Sequence, residues 1–301
     1  MPIAVISLSF DPYIRLSGLA VRWDVLGLAA AVFAALLVGG LAIGRLAPLP
    51  GGGRPSGRDD LLFIVLGIVP GAVVGGRLTY ALLHLDYYQA NPGLILDPSS
   101  GSLALTGAVV LGTLTGIYVA GLLDAPIGRW LDVAAVSLIL ALGLGKLSEV
   151  LGGSGQGVLS NAAWATAYVG PGPWGVLGPD LPAHPAQVYE AIGDGLLLII
   201  LLGLGRLERF RAGGGRRFAL ALAGWAVVRL VVATWWRDAP VAGPLKAEQL
   251  LDLALLLAAV LALVAIRRRP ATIVATTPGG SPPAVPSGAQ RARQVHEGTP
   301  E

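Results

Sequence analysis

Seven stretches of about 20 apolar residues constrain this chain more than anything else in its sequence. They run Val25–Gly44, Leu61–Leu83, Leu103–Leu123, Leu131–Leu151, Gln187–Gly205, Phe218–Trp236 and Gln249–Ile266. In hydrocarbon no water satisfies backbone N–H and C=O groups, so segments of this length cross as helices. The composition agrees. Only 13% of the 301 residues are charged and the mean hydropathy is +0.71, whereas a soluble domain carries about 25% charged residues. The 43 glycines suit close helix approach in lipid. The predicted fold is an all-α integral membrane protein of about seven transmembrane helices over residues 1–269. Residues 270–301, rich in Pro, Gly, Ser, Thr and Ala, are predicted to be a disordered tail.

Loop charge predicts the orientation. Arg45–Asp60, Asp124–Arg129, Arg206–Arg217 and the chain after Ile266 hold 14 Lys and Arg, and the alternate loops hold 4. Positive loops stay cytoplasmic, which places the N-terminus outside and the C-terminal tail inside. The N-terminus lacks the basic start and small-residue cleavage site of a signal peptide and reads as mature sequence. Without cysteine the chain has no disulfide, no thiolate of its own and no lipidation site of the lipobox kind. The loop Gly152–Ala186 has no Lys or Arg but carries Trp164, Tyr168 and Trp174, a composition for the outer interface or for a lid.

Ionisable groups within spans cost several kcal/mol and mark function by default. Arg77 lies six residues before the end of the second stretch, roughly 9 Å deep at 1.5 Å per residue. Lys146 and Glu149 sit in the last turns of the fourth. Gln187, Tyr189 and Glu190 open the fifth, and Arg229 falls eleven residues into the sixth, near mid-depth. Four helices thus bring charge to the outer half of the bundle, which predicts a polar cavity. Arg77, Lys146 and Arg229 outnumber Glu149 and Glu190, so the balance suggests an anionic head group, and arginine's fork suits phosphate. Plainer roles exist for each: a snorkelling Arg77, a self-paired Lys146–Glu149 and a dipole-favoured Glu190. Asp194 and Asp252 read as packing partners. The three histidines are too scattered for a metal site, no cofactor is implied, and the Arg206–Arg217 cluster is a topology signal rather than a nucleic-acid surface.

On these residues the chain resembles the prolipoprotein diacylglyceryl transferases, from about Phe10 to Ala262. FDPYIRLSGLAVRWD resembles the family's strand-like opening, and GGRLTYALLH its GGRxGY segment. SLALTGAVVLG stands in the place of the HGG block, and GKLSEVLGGSGQG corresponds to the signature GRxGNFxNxExxG. HPAQVYEAIGDGL is similar to HPSQLYEALLEG, WAVVRLVVATWWR to YxxxRxxxE, and AEQLLDLALLL to GQxLSIPM. Several polar positions are exchanged. The HGG histidine aligns with Thr106, the signature arginine with Lys146, its asparagine with Glu149 and its glutamate with Ser154. The tyrosine and glutamate that flank Arg229 in the family pattern are Trp225 and Ala233, and the first-span tyrosine is Asp24.

The resemblance implies a multi-pass enzyme of the bacterial plasma (inner) membrane, acting in lipoprotein biosynthesis. It implies transfer of diacylglyceryl from phosphatidylglycerol to the lipobox cysteine of a preprolipoprotein signal segment. Arg229 and Glu149 are then the expected catalytic residues, with Glu149 as the replacement base. Lys146, Arg77, Gln187, Tyr189, Glu190 and Thr106 are expected to bind substrate. The alternatives are a catalytically silent homologue that binds phospholipid or lipoprotein signal segments, and a transporter or channel. The chain has no evident internal repeat of the kind many transporters carry.

Overall fold

The computed structural model describes residues 5–44, 57–95, 97, 102–170, 172–207, 210 and 214–268. The tail expected to be disordered from residue 270 lies outside the described residues. Among the described residues seven helices are long and apolar enough to cross a membrane. They are α1 (Trp23–Gly44), α2 (Arg58–Leu83), α4 (Leu105–Leu122), α5 (Ile127–Gly152), α6 (Ala186–Leu204), α7 (Arg216–Val232) and α8 (Ala247–Arg268). A short helix α3 (Leu85–Ala90) and a 3-10 turn at Pro92–Ile95 follow α2.

Local chemistry sets the helix ends. Asp59 and Asp60 lie in the first turn of α2, and Asp60 Oδ2 accepts the Gly57 amide at 3.1 Å, which suits the positive end of the helix dipole. α2 continues through Pro70, whose missing N–H a membrane helix tolerates. α5 ends at Gly153, with φ +77°, a left-handed cap that glycine takes without a Cβ clash. Asp132 of α5 accepts the amides of Gly215 at 3.1 Å and Arg217 at 2.8 Å. This cross-helix cap starts α7 two residues before the predicted Phe218. The helix then passes into a 3-10 turn, Ala233–Trp235, so Arg229 belongs to its last α-helical turn.

Glycine faces hold the spans together. In α2, Gly67 meets Val119, Gly71 meets Thr115 and Gly75 meets Gly107 and Leu111 of α4, in antiparallel order. α1 leans on α5 through Gly27 against Ser148 and Gly39 against Ser137. Gly143 of α5 faces Asp194 of α6, Gly193 of α6 faces Val228 of α7, and Gly224 of α7 faces Leu197. The central core joins Ala135, Ile139 and Leu142 of α5, Leu197 and Leu201 of α6, and Phe218, Ala221 and Trp225 of α7, with Leu255 of α8.

Short strands cover one end of the bundle; those at Tyr13–Leu16 and Leu19–Arg22 fall in the strand-like opening that the resemblance implied, and the others were not expected. β1 (Ile6–Ser9) pairs in parallel with β4 (Thr166–Val169), Ile6 opposite Thr166. β2 (Tyr13–Leu16) and β3 (Leu19–Arg22) form a hairpin closed by Ser17 at φ 45° and Gly18 at φ 92°, the left-handed pair that a tight hairpin turn requires. β5 (Pro240–Ala242) and β6 (Leu245–Lys246) form a second hairpin before α8. The loop from Gly153 to Pro185 is stitched to the helix ends. Gly157 N donates to His184 O at 2.8 Å, Val158 N to Trp235 O at 2.8 Å, and the buried Tyr168 donates its hydroxyl to Val150 O at 2.7 Å. Burial pushes the Tyr168 hydroxyl up to about 12, so it remains the donor.

Gly75→Val would drive a branched side chain into the Gly107 carbonyl and Leu111, and is expected to cost about 1–3 kcal/mol of stability. Gly121→Ala meets nothing within 4 Å and is expected to leave stability within about 0.5 kcal/mol. Thermal unfolding of the purified proteins in detergent separates the two.

Candidate active site

The site is built around Arg229, whose side chain is only 2% exposed. Its Nε donates to both oxygens of Asp252, at 3.0 and 3.2 Å. Nη1 reaches Glu190 Oε1 at 3.4 Å, and Nη2 reaches Glu248 Oε2 at 2.5 Å. The rings of Trp225 and Trp236 lie 5.2 and 4.6 Å from its guanidinium carbon, where a cation gains from the ring quadrupole. Thr106 of α4 donates its hydroxyl to Asp252 Oδ1 at 3.0 Å. One cation therefore ties α4, α6, α7 and α8 together.

Glu190 carries the network to α5. Lys146 Nζ lies 3.4 Å from Glu190 Oε2 and 3.1 Å from Glu149 Oε1. Glu149 is 31% exposed and Glu190 1%, so the chain of ion pairs runs from a sealed interior to an accessible carboxylate. Gly155 lies directly above. Its φ of +77° favours glycine, and any Cβ there would enter the Glu149 carboxylate.

The remaining predicted residues divide. Gln187 is 1% exposed, and neither of its amide atoms has a hydrogen bond of good geometry among the described residues, although it lies beside the Tyr168 hydroxyl. Asp194, one turn beyond Glu190 and fully buried, likewise has neither oxygen hydrogen-bonded. Buried polar atoms of this kind are uncommon, and they leave donors and acceptors for water or for a polar ligand. Tyr189 points away from the cluster. Its hydroxyl accepts from Trp164 Nε1 at 2.7 Å and lies 3.0 Å from His184 Nδ1. These residues head an apolar groove of about 570 Å³ between α6 and α7, with Gly193, Leu196 and Val231 along it. Arg77 is engaged elsewhere. Its guanidinium donates to the carbonyls of Ile95, Leu94 and Asp97 at 2.5, 2.6 and 2.8 Å and lies 5.4 Å from the Tyr88 ring.

The expected excess of cations becomes an excess of carboxylates. With Arg77 turned to the loop after α3, two cations, Lys146 and Arg229, face the carboxylates of Glu149, Glu190, Glu248 and Asp252. Sequence reasoning gave Asp252 only a packing role and did not single out Glu248. Their spacing of four residues at the start of α8 was the available signal, because it sets both on one helix face. Chemically, the cluster is a fixed guanidinium and ammonium whose counter-ions differ in accessibility. An incoming anion would meet a held cation, not a mobile one.

A model of the prolipoprotein diacylglyceryl transferase family matches residues 12–265. A phosphatidylglycerol–prolipoprotein diacylglyceryl transferase of Geobacter sulfurreducens is 30% identical over 266 residues, covering 86% of this chain and 96% of the relative. One of Trichormus variabilis is 28% identical over 290 residues, covering 92% and 98%. One of Finegoldia magna is 24% identical over 204 residues, covering 68% and 77%.

Asp252→Ala leaves a buried guanidinium without its two-oxygen partner and is expected to cost about 3–5 kcal/mol. Thr106→Val removes one hydrogen bond to that carboxylate and is expected to cost about 1–2 kcal/mol. Unfolding midpoints in detergent should rank the two variants in that order.

Proposed function

The chain belongs to the prolipoprotein diacylglyceryl transferase family, and on that premise we propose that its polar cluster is where diacylglyceryl passes from phosphatidylglycerol to a lipoprotein cysteine. The enzyme class follows from the family. The assignment of residues is our reading. The observation that carries it is the continuous line Arg229–Glu190–Lys146–Glu149 at one end of the bundle. It provides fixed positive charge for a phosphate and an accessible carboxylate for a proton.

In this reading the thiol of the preprolipoprotein signal segment gives its proton to Glu149. The sulfur forms a bond to the glyceryl carbon that carries the phosphate ester. The C–O bond breaks, and its electron pair leaves with glycerol phosphate. Arg229 and Lys146 stabilise the phosphate oxygens as charge develops on them. Lys146 serves as a point charge where the family pattern has a fork-shaped arginine. Gln187 and Glu190 line the head-group position, and Thr106 acts by holding Asp252. The groove under Tyr189 gives an acyl chain a lateral path from the bilayer. The family supports a bacterial inner membrane, and the loop charges favour this end of the bundle outside.

A second reading, a silent homologue that binds phospholipid or signal segments, draws on one observation. Thr106 stands where the family's HGG block has its histidine, and its hydroxyl is committed to Asp252. The transporter or channel reading gives way to the family.

The deciding experiment expresses the chain in cells depleted of their own transferase and follows a model lipoprotein by mass. A diacylglyceryl adduct is expected. Arg229→Ala should abolish it, and Glu149→Gln should slow it by about 10²–10⁴-fold, the range for loss of a general base. A well-folded protein that gives no adduct supports the silent reading. Full activity in Arg229→Ala would remove the phosphate assignment.

A further inference from the structure

We infer that Glu248 occupies the place on Arg229 that the substrate phosphate takes, and so sets how tightly the site accepts an anionic lipid. The inference rests on the reading of Arg229 as the phosphate holder.

The three carboxylates on the guanidinium are not equivalent. Asp252 is fully buried, takes Nε with two oxygens and is held by Thr106. Glu190 is 1% exposed and shared with Lys146. Glu248 is 32% exposed, and among the described residues Arg229 is its one ion-pair partner. Trp225 and Trp236 lie close to the guanidinium carbon. A phosphate therefore gains a two-point grip only where a carboxylate leaves, and Glu248 is the one that can leave without breaking a second contact.

The backbone beneath Glu248 is fixed, while its side chain is held, among the described residues, by the Arg229 ion pair. Lys246, two residues earlier, donates its ammonium to Ala233 O at 2.7 Å and Trp236 O at 2.5 Å. Its own amide donates to Gln249 Oε1 at 3.0 Å. These contacts pin the start of α8 to the end of α7, so rotation about the Glu248 side-chain bonds suffices to clear Nη2. The exchange is also nearly neutral in charge. A phosphodiester brings one negative charge, as a carboxylate does, and both accept from a guanidinium through paired oxygens. No uncompensated cation is buried at any stage, which is the costly alternative.

The test is binding rather than turnover. Purified wild type, Glu248→Gln and Glu248→Ala are titrated in detergent with phosphatidylglycerol and with diacylglycerol, which lacks the phosphate, and lipid retention is read by native mass spectrometry. Both variants are expected to bind phosphatidylglycerol about 3–10-fold tighter, the equivalent of a partly exposed ion pair no longer competing. Diacylglycerol binding should not change. Unchanged or weaker phosphatidylglycerol binding in both variants overturns the inference, and so does equal tightening for diacylglycerol, which would mean general loosening of the site. Tighter phosphatidylglycerol binding with no lipoprotein adduct in cells would keep the inference and remove the transferase reading instead.

Discussion

A guanidinium taken out of water has to be surrounded, and the burial of Arg229 places that demand on four helices at once. Asp252 and Glu248 must arrive from α8 and Glu190 from α6, with Thr106 from α4 behind Asp252. Removing one partner from such an arrangement costs far more than the pair contributes net. The cluster is therefore better understood as fixing the relative register of the spans than as adding stability. Helices that slide by one turn, about 5.4 Å, would leave charge unpaired in a medium that penalises it heavily.

That register is affordable only because the helices can approach closely enough. Gly143 lets α5 sit against Asp194 of α6, and Gly193 lets α6 sit against Val228 of α7. Small residues at these crossings bring the backbones near enough for Lys146 to reach Glu190 and for Glu190 to reach Arg229. The cap on α7 serves the same geometry. Asp132 fixes where α7 starts, Lys246 fixes where it ends, and Arg229 lies between those two anchors. Burial lowers the Lys246 pKa from the ordinary lysine value, and its ammonium gathers the carbonyls of Ala233 and Trp236.

The spans were legible because apolar length is a local property, and the structure returns all seven, with ends that differ by a few residues. Lys146, Glu149, Glu190 and Arg229 were legible for a related reason: charge inside an apolar run is rare and expensive. Partnership was legible only where spacing gave it, as for Lys146 with Glu149 three residues on. The run boundaries put Arg229 near the middle of its stretch, whereas it lies in the last turn of α7, because the Asp132 cap and the 3-10 turn cannot be seen in hydropathy. Arg77 was counted with the cavity, yet its fork is turned to loop carbonyls. The pairing of β1 with β4 joins residues about 160 apart in sequence, a separation over which four-residue apolar segments carry no signal.

The exchanged positions make physical sense when taken together. The family block YxxxRxxxE places an acid four residues after the arginine, one turn along the same helix. Here that position is Ala233, fully buried, and the arginine takes its carboxylates from α6 and above all from α8 instead. An acid on the same helix leaves α7 free to move as a unit with its charge balanced. Acids on a neighbouring helix brace α7 against α8, so any movement of one stretches a buried ion pair. The hydroxyl of Thr106 extends that brace to α4, at the position where the related block carries histidine. The cost of the brace is a guanidinium crowded with carboxylates. The same crowding leaves one of them, Glu248, at the accessible edge, where an incoming anion can take its place.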